Sequence, residues 1–353
     1  MNETSLSSVS SSPNRDPSSR LVLVARVPRL RALAWSPEHL YASRGYHMVR
    51  ARIDDLATDE RWQPVAAFRP KLRRRLSVVN GLTARLFRDG FHALAILPSG
   101  ALVAAVPRAI VTLWPRDSEF RITHHILRGT RPLHITAVPN GTLFWGEYFD
   151  SPGRDEVHIY ARGTIRHIHN IVHDPWGDCL WVMTGDYGDE CRILRATCDF
   201  SRVEVVLQGQ QQARAVAIIP TEDCLYFASD TPLEPNYIYR LDRQHALFQV
   251  APISSSSIYG CRVGNRVFFS TMVEPSEVNR DSHVRVYGGH ASPNGPPDWH
   301  LLLAWQKDPW PMALFQYGNA IMPDGTNPSP FLALTTVAVE SDDMVTSLYA
   351  VNP

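Results

Sequence analysis

The sequence has no apolar run near the ~18 residues that a membrane span requires, so no spanning helix is expected. It has no net charge: Lys plus Arg and Asp plus Glu each number 35. A neutral chain exerts no global pull on nucleic acid or anionic lipid, and nucleic acid is not an expected partner. Cysteine is scarce and odd in number, five residues with no C-x-x-C pair. That argues against a disulfide framework or a zinc knuckle. Buried thiols in a reducing, cytoplasmic compartment are the expectation. The chain does not open with a basic flank followed by an apolar segment, so no secretory signal is expected. No G-x-S-x-G elbow, P-loop or dinucleotide fingerprint occurs, and no cofactor is indicated.

What the sequence has in quantity is one repeated pattern. An apolar strand, a tight turn, a second apolar strand, a polar loop and a third strand recur from Arg31, His92, His134, His169, Arg214, Ser257 and Tyr317. The turns Pro-Ser-Gly, Pro-Asn-Gly, Pro-Trp-Gly-Asp and Pro-Asp-Gly suit links between antiparallel strands, because glycine and asparagine accept positive φ. The strands are short and rich in β-branched and aromatic residues. Several, such as LFWGEY and CLWVMTG, are almost continuously apolar, as strands buried on both faces are. The mean step of roughly 48 residues fits four strands per blade. The pattern predicts an all-β fold, a β-propeller with seven four-stranded blades, over residues 20–353 as one domain. The Ser-rich segment 1–19 has too little apolar surface to fold. A spare strand, RLVLVARV from Arg20, is positioned to complete the last blade and close the ring, which removes an exposed sheet edge. Two insertions interrupt the repeat. Residues 70–90 carry Leu72, Leu76, Val79, Leu82 and Leu86 near helical spacing among arginines, and residues 288–311 include a Gly/Pro-rich loop.

Repeat alignment groups residues in space. The starts of the innermost strands form a ring at one face, the top: Arg31, His92, His134, His169, Arg214, Ser257 and Tyr317. Second-strand ends open on the same face. They carry Glu147 and Tyr148, then Asp186 and Tyr187, then Asp230, then Glu274. Glu147, Asp186, Asp230 and Glu274 fall at nearly equivalent points of four successive units. Carboxylates that face histidines and arginines can have their pKa values set apart and supply acid and base groups. Tyr148 and Tyr187 are candidate sugar platforms. Lys71, Arg73, Arg74 and Arg75 lead into the His92 strand and would steer an anion toward this face. A divalent metal on His92, His134 and His169 stays open, as does a solvated channel wall with no ligand.

The stretch from Arg131 to Arg243, with WGEYFDSPGRDEVHIYA and RHIHNIVHDPWGDCLWVMTGDYGDECRI, resembles bacterial propeller proteins described as sialidase-like or BNR-repeat glycosyl hydrolases. The S-x-D-x-G-x-T-W Asp-box of BNR repeats is absent. The chain is also similar in outline to propeller-type polysaccharide lyases acting on uronic acids. These resemblances imply a carbohydrate link. His92 or His169 would be the base and Tyr317 the acid, with Glu147 and Asp186 as further catalytic candidates. Arg31 and Arg214 would hold a carboxylate, and His134, Tyr148, Tyr187, Asp230 and Glu274 would line the site. The expectation is therefore a top-face pocket that binds, and as a glycoside hydrolase or lyase cleaves, an acidic saccharide or another small anion. The alternative is a non-enzymatic scaffold that docks a partner protein.

Overall fold

A computed structural model of the chain describes residues 21–56, 62–126, 132–146, 168–291 and 298–351. Glu147 and Tyr148, the segment 1–19 and the middle of the 288–311 insertion lie outside the described residues.

Among the described residues, six four-stranded antiparallel sheets form the blades of a propeller, and a two-stranded sheet stands beside them. The innermost strands are Arg31–Trp35, Ala93–Ile96, Ile168–Asp174, Ala215–Pro220, Ser257–Val263 and Asn319–Ile321. Each names its blade below. The two-stranded sheet pairs Ile135–Ala137 with Leu143–Trp145 and sits between the Ala93 and Ile168 blades. The expected count of seven four-stranded blades is thus corrected to six. The unit at His134 carries a Val-Pro-Asn-Gly-Thr turn, a signal that a two-stranded sheet satisfies as well as a full blade does. The fourth strand of the Arg31 blade, Gln63–Ala67, was not anticipated, because QPVAA is short and carries proline.

The apolar runs behave as their composition requires. Second strands Cys179–Thr184, Cys224–Ser229 and Arg266–Thr271 are buried at every position, while the outermost strand Arg121–His125 is exposed at every position. The core lies between blades. Trp181 and Ile193 of the Ile168 blade pack with Leu225, Phe227 and Tyr239 of the Ala215 blade. All five cysteines are free thiols, four of them buried. No helix among the described residues is long and apolar enough to cross a membrane.

The spare strand closes the ring as expected. Val22–Pro28 pairs antiparallel with Val345–Ala350 and is the outermost strand of the Asn319 blade. Its register runs from Val22 opposite Ala350 to Pro28 opposite Val345. The Pro323-Asp324-Gly325 turn, expected to be a simple hairpin, does something else. Asp324 pairs through its backbone with Ala34 of the Arg31 blade, donating to the Leu33 carbonyl at 2.9 Å and accepting from the Trp35 N–H at 2.9 Å. That interblade link joins the Asn319 blade, which holds the closure, to the Arg31 blade.

On the face opposite the top, Asp174 ties two blades together. It is fully buried and accepts from the backbone N–H groups of Trp176 and Gly177 at 3.1 Å each and from Trp181 Nε1 at 3.0 Å. Arg243, from the neighbouring Ala215 blade, closes an ion pair on the same carboxylate and also reaches the Thr221 carbonyl. Burial alone would push the Asp174 carboxyl up. Arg243, Trp181 and the Gly177 N–H outweigh it and hold the group below the ordinary carboxylate range.

The 70–90 insertion folds as two short helices, α1 (Leu72–Ser77) and α2 (Gly81–Phe87), with Asn80 capping α2 through the Thr83 N–H at 2.9 Å. Arg85 of α2 is buried and pairs with Asp308 at 2.6 Å and Asp343 at 2.9 Å. It also donates to the carbonyl of Phe315 in α3 (Met312–Phe315). One buried cation thereby pins the insertion over the Asn319 blade.

Candidate functional site

Three of the four equivalent acids meet. Asp186, Asp230 and Glu274 extend from the second-strand ends of the Ile168, Ala215 and Ser257 blades and surround Arg214, which precedes Ala215–Pro220. Arg214 Nη2 lies 3.3 Å from Asp186 Oδ1 and 3.6 Å from Asp230 Oδ2. His169 joins them: its Nε2 is 3.3 Å from the same Asp186 oxygen, and its Nδ1 donates to the Ala215 carbonyl at 3.0 Å. Tyr187, about half exposed, places its ring 5.8 Å from the Arg214 guanidinium carbon, within cation–π range.

Local structure explains the positions. His169 lies inside a register shift between Ile168 and Asn170, and comparable irregularities open the innermost strands at Ala32–Ala34, Ala215–Ile218 and Ser257–Tyr259. Such bulges re-aim side chains. Gly185 has φ +70°, and a Cβ there would lie 2.0 Å from the Glu190 carbonyl oxygen, so only glycine lets the chain turn and deliver Asp186. The Asp186 carbonyl accepts from Gln211 Nε2 at 3.0 Å, and Gln211 Oε1 accepts from the Thr231 hydroxyl at 2.6 Å. Thr231, Asn236, Asn279 and Ser256 continue a buried hydrogen-bonded network behind Asp230. A satisfied network of this kind holds loops rigid.

The electrostatics divide the groups. Asp230 has 7% of its side chain exposed, and burial pushes its carboxyl up to about 7. Arg214 opposes that shift, while Glu274 and Asp186 add to it. Glu274 is raised as well, by burial first, with Arg214 opposing and Asp186 adding. Burial would lower Arg214, but Asp230 and Asp186 outweigh it and its guanidinium is raised. Three carboxyls thus share one arginine at a site largely withdrawn from water. Arg214 Nε and Nη1 and Asp230 Oδ1 are buried and have no hydrogen-bond partner among the described residues.

The other ring residues go elsewhere. Arg31 donates to the His92 carbonyl at 3.2 Å and is lowered by burial, with Tyr259 and Asp324 opposing. His134 meets Asp324 at 2.7 Å and lies edge-on to Tyr259, 5.9 Å away. His92 Nε2 donates to the Arg88 carbonyl at 2.9 Å, which ties it to the end of the helical insertion. Tyr317 is half-buried. His92, His134 and His169, the trio left open to a metal, each have a ring nitrogen on a different oxygen. Arg31 and Arg214, the expected carboxylate clamp, stand in separate groups: Arg214 faces Asp230, Asp186 and Glu274, and Arg31 faces Tyr259 and Asp324.

No protein-family model matches the chain, and no curated protein matches it in sequence. Solved structures share its fold. A chain in the crystal structure of the mitotic checkpoint complex aligns with TM-score 0.57 at 10% identity, over 100% of this chain and 99% of that one. The WD40 β-propeller domain of Doa1 aligns with TM-score 0.55 at 9% identity, over 94% and 97%. The extracellular domain of the putative one-component system BT4673 from B. thetaiotaomicron gives 0.55 at 10% identity, over 96% of this chain and 42% of that one. At these identities the likeness shows the β-propeller fold alone. The sialidase-like resemblance extends only that far.

Proposed function

We propose that the top face binds a hydroxyl-rich ligand, an uncharged saccharide, at the cluster of Asp186, Arg214, Asp230 and Glu274. One observation carries the reading. Unpartnered donors on Arg214 stand beside an unpartnered acceptor on Asp230, all buried. Leaving such groups unsatisfied costs about 1–3 kcal/mol each. A sugar hydroxyl donates and accepts at one atom and so satisfies both kinds at once. The surplus of carboxyls disfavours the acidic saccharide anticipated from the ring of basic residues. Tyr187 offers an exposed ring at the mouth for the apolar face of a sugar. Asp230, raised to about 7, holds a proton near neutrality that it can donate, while Asp186 pairs with Arg214 and His169. That division of two carboxyls suits acid–base work on a glycosidic bond.

Saturation-transfer NMR against a panel of neutral and uronic oligosaccharides tests the reading. A neutral ligand should bind, and Arg214→Met should weaken it roughly tenfold or more, as loss of a charged hydrogen bond does. Binding confined to uronic sugars, or untouched in Arg214→Met, would sink the proposal.

A second reading, a scaffold that docks a partner protein, rests on the insertion. Leu72, Leu76, Val79, Leu82, Leu86 and Phe87 of the α1–α2 segment are exposed at 38–67%. Trp310 and Leu314, beside and within α3, add to the apolar surface there, next to Lys71, Arg73 and Arg75. Contiguous patches of this kind mark interaction surfaces. Replacing Leu76 and Leu82 by serine should cost under about 0.5 kcal/mol each in urea melts. A loss of about 2 kcal/mol or more would mean that these side chains serve the core.

A further inference from the structure

We propose that His173, Asp178 and Cys198 form a zinc site on the bottom face, distinct from the Arg214 cluster. His173 lies near the end of Ile168–Asp174, Asp178 in the turn to Cys179–Thr184, and Cys198 just beyond Arg192–Ala196. His173 and His169 are four residues apart on one strand, about 13 Å at strand rise. The two sites therefore occupy opposite ends of the blade.

One nitrogen, one carboxylate oxygen and the sulfur all lie within 4.8 Å of one another. A tetrahedral zinc ion holds such donors at about 2.0–2.3 Å from the metal, hence roughly 3.3–3.8 Å from each other. Small side-chain rotations close that difference. His173 Nε2 is buried and has no hydrogen-bond partner among the described residues. A buried ring nitrogen in that state needs a proton acceptor, a proton donor or a metal, and the groups gathered at this ring are a carboxylate and a thiol. Asp178 adopts φ +43°, a left-handed conformation that aspartate accepts better than most residues. Mixed imidazole, thiolate and carboxylate donors select zinc over calcium or magnesium. On binding, the Cys198 thiol releases its proton to water and the metal keeps its charge. Three protein donors leave the fourth position to water.

The test uses the full chain, stripped with chelator and titrated with cobalt(II). One equivalent should bind and develop a near-ultraviolet thiolate-to-cobalt band together with visible bands of a tetrahedral ion, and zinc should displace it. Cys198→Ser should remove the thiolate band, and His173→Gln should weaken cobalt binding by roughly a hundredfold. Cys179→Ser, a neighbouring thiol outside the set, should keep the band. Zinc should also slow alkylation of Cys198 in the wild-type chain at least about tenfold, read by peptide mass spectrometry, a measurement that requires no variant to fold. Absence of a thiolate band at saturating cobalt overturns the proposal. So does a band that survives Cys198→Ser and vanishes in Cys179→Ser, or a Cys198 alkylation rate indifferent to zinc.

Discussion

With Asp174 replaced by alanine, the metal-free chain is expected to lose about 3–5 kcal/mol of stability, the range for removing one partner of a buried ion pair. Asp174 is fully buried and satisfies two backbone N–H groups, the Trp181 indole and Arg243. The alanine variant strands all of them at once, and each stranded donor carries its own desolvation cost. Asp174→Asn keeps an acceptor and the side-chain volume but loses the charge, so its loss should be about half as large. Urea midpoints at constant slope measure both. A loss under about 1 kcal/mol for the alanine variant would show that Arg243 and Trp181 find water or other partners.

Asp230→Asn is expected to act in the opposite direction above neutral pH. The folded chain raises this carboxyl from 3.8 to about 7. Between those values the folded state binds a proton that the unfolded state has lost. Stability is therefore fully present below about pH 4, falls as pH rises through 7, and levels off above it. Three pH units at 1.36 kcal/mol each give a penalty on the order of 4 kcal/mol at pH 8. Asparagine imitates the protonated form and removes the slope. The variant should match the parent chain near pH 4 and melt at higher temperature at pH 8. Saccharide binding by the parent should weaken as pH rises through about 7, where the folded carboxyl loses its proton. A variant that melts lower than the parent at pH 8 would mean that the ionised Asp230–Arg214 pair outweighs the burial of the charge.

The features legible in the sequence were those that repetition repeats. Innermost strands begin within two residues of the expected starts because each unit carries the same turn and the same apolar run. Asp186, Asp230 and Glu274 gather on Arg214 because equivalent positions in a ring of blades become neighbours around its mouth. The chemistry between units was not legible. Arg214 appeared free to hold an anion, since pairing between loops of different blades leaves no pattern along the chain. His92 occupied the right ring position, but its nitrogen is taken by a carbonyl at the end of α2. His169 is re-aimed by a bulge that the hydrophobic period does not record. Asp324 sat in a turn signal and instead bridges to Ala34, because Pro-Asp-Gly specifies a bend and not where the chain goes after it.

The strand that closes the ring also sets a clock. Val22 must pair with Ala350, and the ribosome adds only about 5–20 residues per second. Val22–Pro28 emerges ahead of Val345–Ala350 and waits roughly a quarter of a minute to a minute for it to be made. Throughout that interval the Asn319 blade is unfinished and seven residues of β-forming sequence stand unpaired. Val22 and Leu23 remain 51% and 41% exposed even in the finished fold. Production of this protein is therefore most vulnerable during synthesis, when a neighbouring nascent chain on the same message can offer the waiting strand a wrong edge.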